Sequence, residues 1–255
     1  MDQTLTERPV RTAAATEALD RRLFERRLFK SAAIAFPLIV LAGFARTYYL
    51  KGFLDVPPLP SMIVHAHGVL MTAWVAQFIA QVWLIAGRRV RVHQRLGYAG
   101  IGLAVLIIGV GVVTAVRAAK FGSTSTPPGV SPLGFLIVPL FDLVMFAIFF
   151  GAAVYYRKQP AEHKRLMLLT AVNFLPPAIA RIPIASLQAT GPLWFFGFPT
   201  VLVLFCLGLD TWRYRKLNAI FLTGALLLIA SYVGRLALMG TETWLAAARW
   251  LTGFA

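Results

Sequence analysis

The sequence predicts an all-α, polytopic bundle of seven membrane-crossing helices, and three observations predict it. The 255 residues are 58% hydrophobic and only 14% charged, whereas an ordinary soluble domain carries roughly 25% charged residues. Seven runs reach the roughly 20 mostly apolar residues that a bilayer-spanning helix needs. Lys and Arg gather in every second connection, the pattern that marks cytoplasmic loops. These proportions exclude a disulfide scaffold, a disordered chain and an ordinary cytosolic enzyme. Cys206 is the single cysteine, so neither an intrachain disulfide nor a cysteine-rich metal site can form.

The expected spans are 31–50, 62–86, 97–117, 132–156, 164–186, 194–212 and 217–237, with 241–255 too short to cross and expected along the interface. Breakers stand at the joints. Pro57, Pro58 and Pro60 precede the second span, Pro127, Pro128 and Pro132 the fourth, and Gly191-Pro192 separates the fifth from the sixth. The runs are read as helices because only backbone that satisfies its own hydrogen bonds can cross lipid.

Of the 25 Lys and Arg, 18 fall on one side. They are the leading Arg8, Arg11, Arg21, Arg22, Arg26, Arg27 and Lys30; then Arg88, Arg89, Arg91 and Arg95; then Arg157, Lys158, Lys164 and Arg165; then Arg213, Arg215 and Lys216. This alternation requires an N-in, C-out path and places the chain in a bacterial inner membrane as a multi-pass protein. The net charge of +15 is thus a topology and lipid-headgroup signal, and no nucleic-acid partner is expected. Residues 1–30 read as a cytoplasmic segment ahead of the membrane domain, 31–255. Thr16–Lys30 mixes both charge signs with Leu19, Leu23, Phe24, Leu28 and Phe29 near helical spacing, which suits an amphipathic helix in the interface.

A faint internal echo links the basic connections. His93, Arg95 and Leu96 match His163, Arg165 and Leu166 at an offset of 70 residues. Spans two–three and four–five would then be parallel copies of one helical hairpin.

Ionisable groups inside spans are costly and face the bundle interior or a wet cavity. Arg46, His65, His67, Arg181 and Arg235 all fall in the periplasmic third, where Arg46 and Arg235, a few residues from span ends, are expected to snorkel to the headgroups, and Asp142 lies deeper in the fourth span. Three arginines and two histidines at one depth suit an anion such as a carboxylate, a phosphate or haem propionates. A mid-span carboxylate such as Asp142 has to be paired or neutral. His65 and His67, two apart, point roughly 200° apart on a helix and cannot share one metal. Gly68 beside them admits a close neighbour. His93 and His163 open the parallel spans three and five at the other face, where two imidazoles could clamp a haem. Trp74, Gln77 and Gln81 line one side of span two and face inward.

His65-Ala66-His67-Gly68, Trp74, Gln81, Arg91-Val92-His93-Gln94-Arg95-Leu96-Gly97, His163-Lys164-Arg165-Leu166-Met167, Pro177-Ala178-Ile179-Ala180-Arg181 and Thr241–Trp244 together resemble a set of bacterial multi-span proteins known only as predicted membrane proteins. That resemblance covers most of the chain from residue 46 and implies no activity. Locally, His67, Gly68, Leu70, Met71 and Trp74 are similar to the cytochrome b561 group, which implies haem b. The chain departs from that group on the periplasmic side, where both histidines come from one helix.

The leading expectation is a membrane-embedded binding protein with a polar pocket in the periplasmic half. It would hold haem b, a quinone or another anionic amphiphile, with His67 as axial ligand and Arg46 or Arg181 on propionates. The alternatives are a proton-coupled small-molecule transporter using Asp142, and an accessory subunit held by a membrane-protein partner or a second copy.

Overall fold

The computed structural model describes residues 7–54, 59, 61–123, 126–127 and 129–253. Residues 1–6, Pro57, Pro58, Pro60 and Pro128 lie outside the described residues, as do the side chains of Arg8, Arg11, Arg21 and Arg22. Among the described residues the chain is all-α. The helices are α1 (Glu7–Phe44), α2 (Met62–Ala86), α3 (Val90–Phe121), α4 (Pro132–Phe135), α5 (Ile137–Tyr155), α6 (Pro160–Asn173), α7 (Leu175–Ile179), α8 (Ala185–Gln188), α9 (Pro192–Phe195), α10 (Gly197–Tyr214), α11 (Ala219–Leu238) and α12 (Glu242–Gly253).

Six helical stretches are long and apolar enough to cross a membrane: Leu23–Tyr49, Met62–Ala86, Val90–Phe121, Pro132–Lys158, Pro192–Tyr214 and Ala219–Leu238. Their outer faces carry exposed Val105, Leu106, Val201, Leu226 and Val233. A surface so apolar is covered by lipid rather than water, and the chain is a multi-pass membrane protein.

The stretch expected as a continuous fifth span, 164–186, departs from that expectation. It divides into α6 and α7 at Phe174, and the chain has left the helix by Arg181. Pro176 and Pro177 cause the break, because neither can donate the backbone hydrogen bond that an unbroken helix requires there. Side-chain hydrogen bonds tie α6 and α7 to other elements at both ends. At the start of α6, Asn218 Nδ2 donates to Glu162 Oε1 at 3.1 Å, tying it to the α10–α11 connection. At the end of α7, Trp194 Nε1 donates to Ile179 O at 3.0 Å. Leu168 through Pro176 are buried without interruption, as a helix enclosed on all sides must be.

Close packing fixes this central pass against its neighbours. Gly43 of α1 sits so near α7 that a Cβ would run into the Ala178 carbonyl. Around α6, Leu169, Phe149, Phe221 and Leu228 form one fully buried cluster. A second centres on Trp74, which meets Phe146 edge-on with ring centres 4.8 Å apart.

The N-terminal segment leads into the first span without a break. From Glu7 one helix runs through 38 residues to Phe44. Nothing between Thr16 and Phe36 is a helix breaker, and side-chain contacts hold its middle to the bundle. Arg26 Nη2 donates to Ala86 O at 2.7 Å, Lys30 lies over the Trp83 ring, and Glu25 pairs with Lys164. These contacts, with Arg88, Arg89, Arg157 and Arg213, mark one end of the bundle as basic.

Candidate functional site

The ionisable residues expected at a common depth separate into distinct arrangements. Asp142 of α5 and Arg235 of α11 are both buried, and Arg235 Nη1 donates to Asp142 Oδ1 at 2.5 Å. Arg235 Nη2 reaches Ser231 Oγ one turn back at 3.3 Å, and its guanidinium lies against the rings of Tyr232, Phe141 and Phe196. Asn173, the last residue of α6, donates Nδ2 to the Asp142 carbonyl at 2.8 Å. Three polar atoms here are buried with no hydrogen-bond partner: Arg235 Nε, Asn173 Oδ1 and Tyr232 Oη. The helix break therefore sits directly beside a buried ion pair that leaves hydrogen-bonding capacity unused.

Arg46 and His65 stand outside that interior. Arg46 is exposed on the π-helical turn Ala45–Tyr49. His65 is also exposed, and its Nδ1 lies 3.3 Å from Tyr48 Oη. The close neighbour admitted by Gly68 is the Tyr48 ring itself, 2.5 Å from where a Cβ would stand. Tyr49 Oη packs alongside, 3.0 Å from Thr72 Oγ1. His67 is half-buried with Nδ1 unpartnered. Arg181 is half-buried after α7, donates Nη1 to Pro177 O at 2.6 Å and lies over Phe44. The freed proline carbonyl thus has a taker in the arginine four residues on.

At the basic end, His93 and His163 come together. One opens α3 and the other α6, and their rings stand edge to face with centres 6.2 Å apart and planes at 87°. His163 Nδ1 is 2.8 Å from Ala153 O. A carbonyl can only accept, so His163 donates from Nδ1, and in the neutral ring that leaves Nε2 as the acceptor. His93 Nδ1 is buried without a partner, as is Gln81 Oε1 on the neighbouring α2. The two histidines at matching places in the two hairpins thus meet across the bundle.

One turn into α6, Arg165 engages Asp210 of α10 with both residues buried. Its Nε donates to both carboxylate oxygens at 3.0 and 3.1 Å, and Nη2 to Oδ1 at 2.8 Å. Nη1 is taken by Ala161 O at 2.6 Å. Sequence reasoning counted Arg165 among the loop charges and passed over Asp210. The signal was present, since Asp210 is the lone carboxylate in the apolar run 194–212.

Among the described residues no group of three or more His, Cys, Asp or Glu is placed to hold a metal ion. The arrangement offers instead a two-imidazole set on separate helices, and an ion pair beside a helix break. No family model matches the chain, and neither does any curated protein or solved structure.

Proposed function

We propose that the chain is a redox-linked binding protein of the bacterial inner membrane whose His93–His163 pair holds haem b. It crosses seven times, N-in and C-out, with α6 and α7 together as the fifth crossing. The alternating basic connections support that path, which puts the histidine pair at the cytoplasmic face.

The observation that carries the reading is the facing of two imidazoles from separate helices, one with its tautomer held by a carbonyl. Ligating histidines characteristically donate their other ring N–H in this way. A bare ion would receive only two protein ligands here, whereas haem b, which brings ring nitrogens of its own, would be held by His93 and His163. Arginines 88, 89, 91, 95 and 157 at the same end suit propionates. His67 suits this role less, because the only other histidine on that side is two residues away on its own helix and is engaged by Tyr48. When bound, haem b supplies one-electron transfer.

Purification from haem-replete cells tests the reading. A Soret band with a reduced-minus-oxidised difference in the visible is expected, and a colourless, haem-free protein would reject it.

A second reading rests on the break between α6 and α7 beside Asp142. Discontinuous helices at mid-membrane are where transporters bind coupling ions, and Asp142 would relay the proton. In proteoliposomes carrying a pH-sensitive dye, this reading expects proton flux that Asp142→Asn abolishes, and unchanged flux in that variant would overturn it.

A further inference from the structure

A third feature lies apart from both the histidine pair and the Asp142 pair. Between α1, α6 and α10 runs an apolar slot of about 190 Å³. Ser31, Ala35 and Ile39 line it from α1, Leu168 from α6, and Leu202 and Cys206 from α10. It is too small for a drug-sized or porphyrin ligand, whose pockets run to roughly 300–1,000 Å³, yet its lining runs three turns along α1 from Leu28 to Ile39, which suits a segment of one alkyl chain. Ala35 and Phe205 at its margin are exposed, so the slot opens sideways onto the lipid-covered surface.

What sits at the basic end of the slot decides the occupant. On α10, Leu202, Cys206 and Arg213 are spaced i, i+4 and i+11, which puts them on one face. The Arg213 guanidinium lies 6.0 Å from the Phe24 ring of α1, one turn from the lining residue Leu28. The neighbouring charges are committed, Lys164 to Glu25 and Asp210 to Arg165. Arg213 Nε is buried with no hydrogen-bond partner, and no carboxylate pairs with Arg213 among the described residues. Arg213 is half-buried two turns beyond the lining residue Cys206, and a guanidinium N–H left over on that face of α10 calls for an anionic acceptor joined to a hydrocarbon tail.

We propose that this seam is a binding site for one anionic phospholipid, its acyl chain in the α1–α6–α10 slot and its phosphate on Arg213. Such a lipid would tie the C-terminal half of α1 to α6 and α10. A basic pocket between helices at the cytoplasmic face is where anionic headgroups are held.

Native mass spectrometry of the full-length protein, titrated in detergent with phosphatidylglycerol or phosphatidylcholine, tests the site. One phosphatidylglycerol per chain is expected to bind at least about fivefold more tightly than phosphatidylcholine, the factor that one basic residue near an anionic headgroup is worth. Arg213→Gln should erase that headgroup preference. Ala35→Phe, which fills the slot from an exposed position, should remove the tight adduct of both lipids while the protein still elutes as a single folded species. Equal affinity for the two headgroups, tight phosphatidylglycerol binding that survives either substitution, or a neutral isoprenoid found in the slot would each overturn the proposal.

Discussion

Arg165 meets Asp210 with Nε and Nη2 at 2.8–3.1 Å and gives Nη1 to Ala161 O, so nearly every donor it has is used. Arg235 meets Asp142 through one nitrogen, reaches Ser231 at 3.3 Å, and leaves Nε, Asn173 Oδ1 and Tyr232 Oη unpartnered. Both pairs are buried and both join helices distant in sequence. The first lies one turn from the basic end, where headgroups and water are near. The second lies beside the α6–α7 break, enclosed by Phe141, Phe196 and Tyr232. A saturated pair acts as a clasp. An under-saturated pair in low dielectric is held together by the cost of separating its charges, so it should respond far more to loss of one partner than to loss of both.

That contrast can be broken at several points. The largest effect is expected for Asp142→Ala, which strands the fully buried Arg235 and should cost about 3–5 kcal/mol. The companion Asp142→Leu/Arg235→Met, which removes both charges, should recover most of that stability. Unfolding in a mixed-micelle denaturant series followed by tryptophan fluorescence measures both. A double variant no better than the single would show that the pair is worth more than its burial penalty. Asp210→Ala is expected to cost less, about 1–3 kcal/mol, because Arg165 keeps the Ala161 carbonyl and can turn toward the basic surface; a loss equal to that of Asp142→Ala would erase the distinction. The smallest effect belongs to Tyr232→Phe. Its hydroxyl has no partner and its ring stacks on Phe196 with centres 4.5 Å apart, so the change should stay within about 0.5 kcal/mol. A loss above about 1 kcal/mol would mean that the hydroxyl is hydrogen-bonded, for instance through water.

The same contrast explains what was legible in the amino-acid sequence. Hydropathy and the spacing of breakers located the long helices, since α2 begins at Met62 and ends at Ala86 as the apolar run does. Composition also flagged Asp142 as a group that must find a partner, whereas Arg235, a few residues from its span end, read as an arginine reaching the headgroups and is instead buried on Asp142. Depth along a helix is readable from residue number, but azimuth relative to the bundle is not. That is why Arg46 and His65 share a level with His67 and Arg181 and yet face outward. Arg165 was hidden for a different reason. Among Lys164, Arg157 and Lys158 it looks like one more loop charge, and only the arrival of Asp210 from α10 distinguishes it. That the mixed-charge stretch leads as helix into the first span was legible from its spacing, but not that Glu25, Arg26 and Lys30 all find partners on the bundle.

The histidine pair offers the most direct test. Haem content per chain, measured for His65→Ala, His67→Ala, His93→Ala and His163→Ala purified from the same haem-replete cells, separates the two ends of the bundle. Loss in His93→Ala and His163→Ala, with retention in the other two, is the predicted result. Wild-type haem content in either His93→Ala or His163→Ala, or loss confined to His67→Ala, would contradict it.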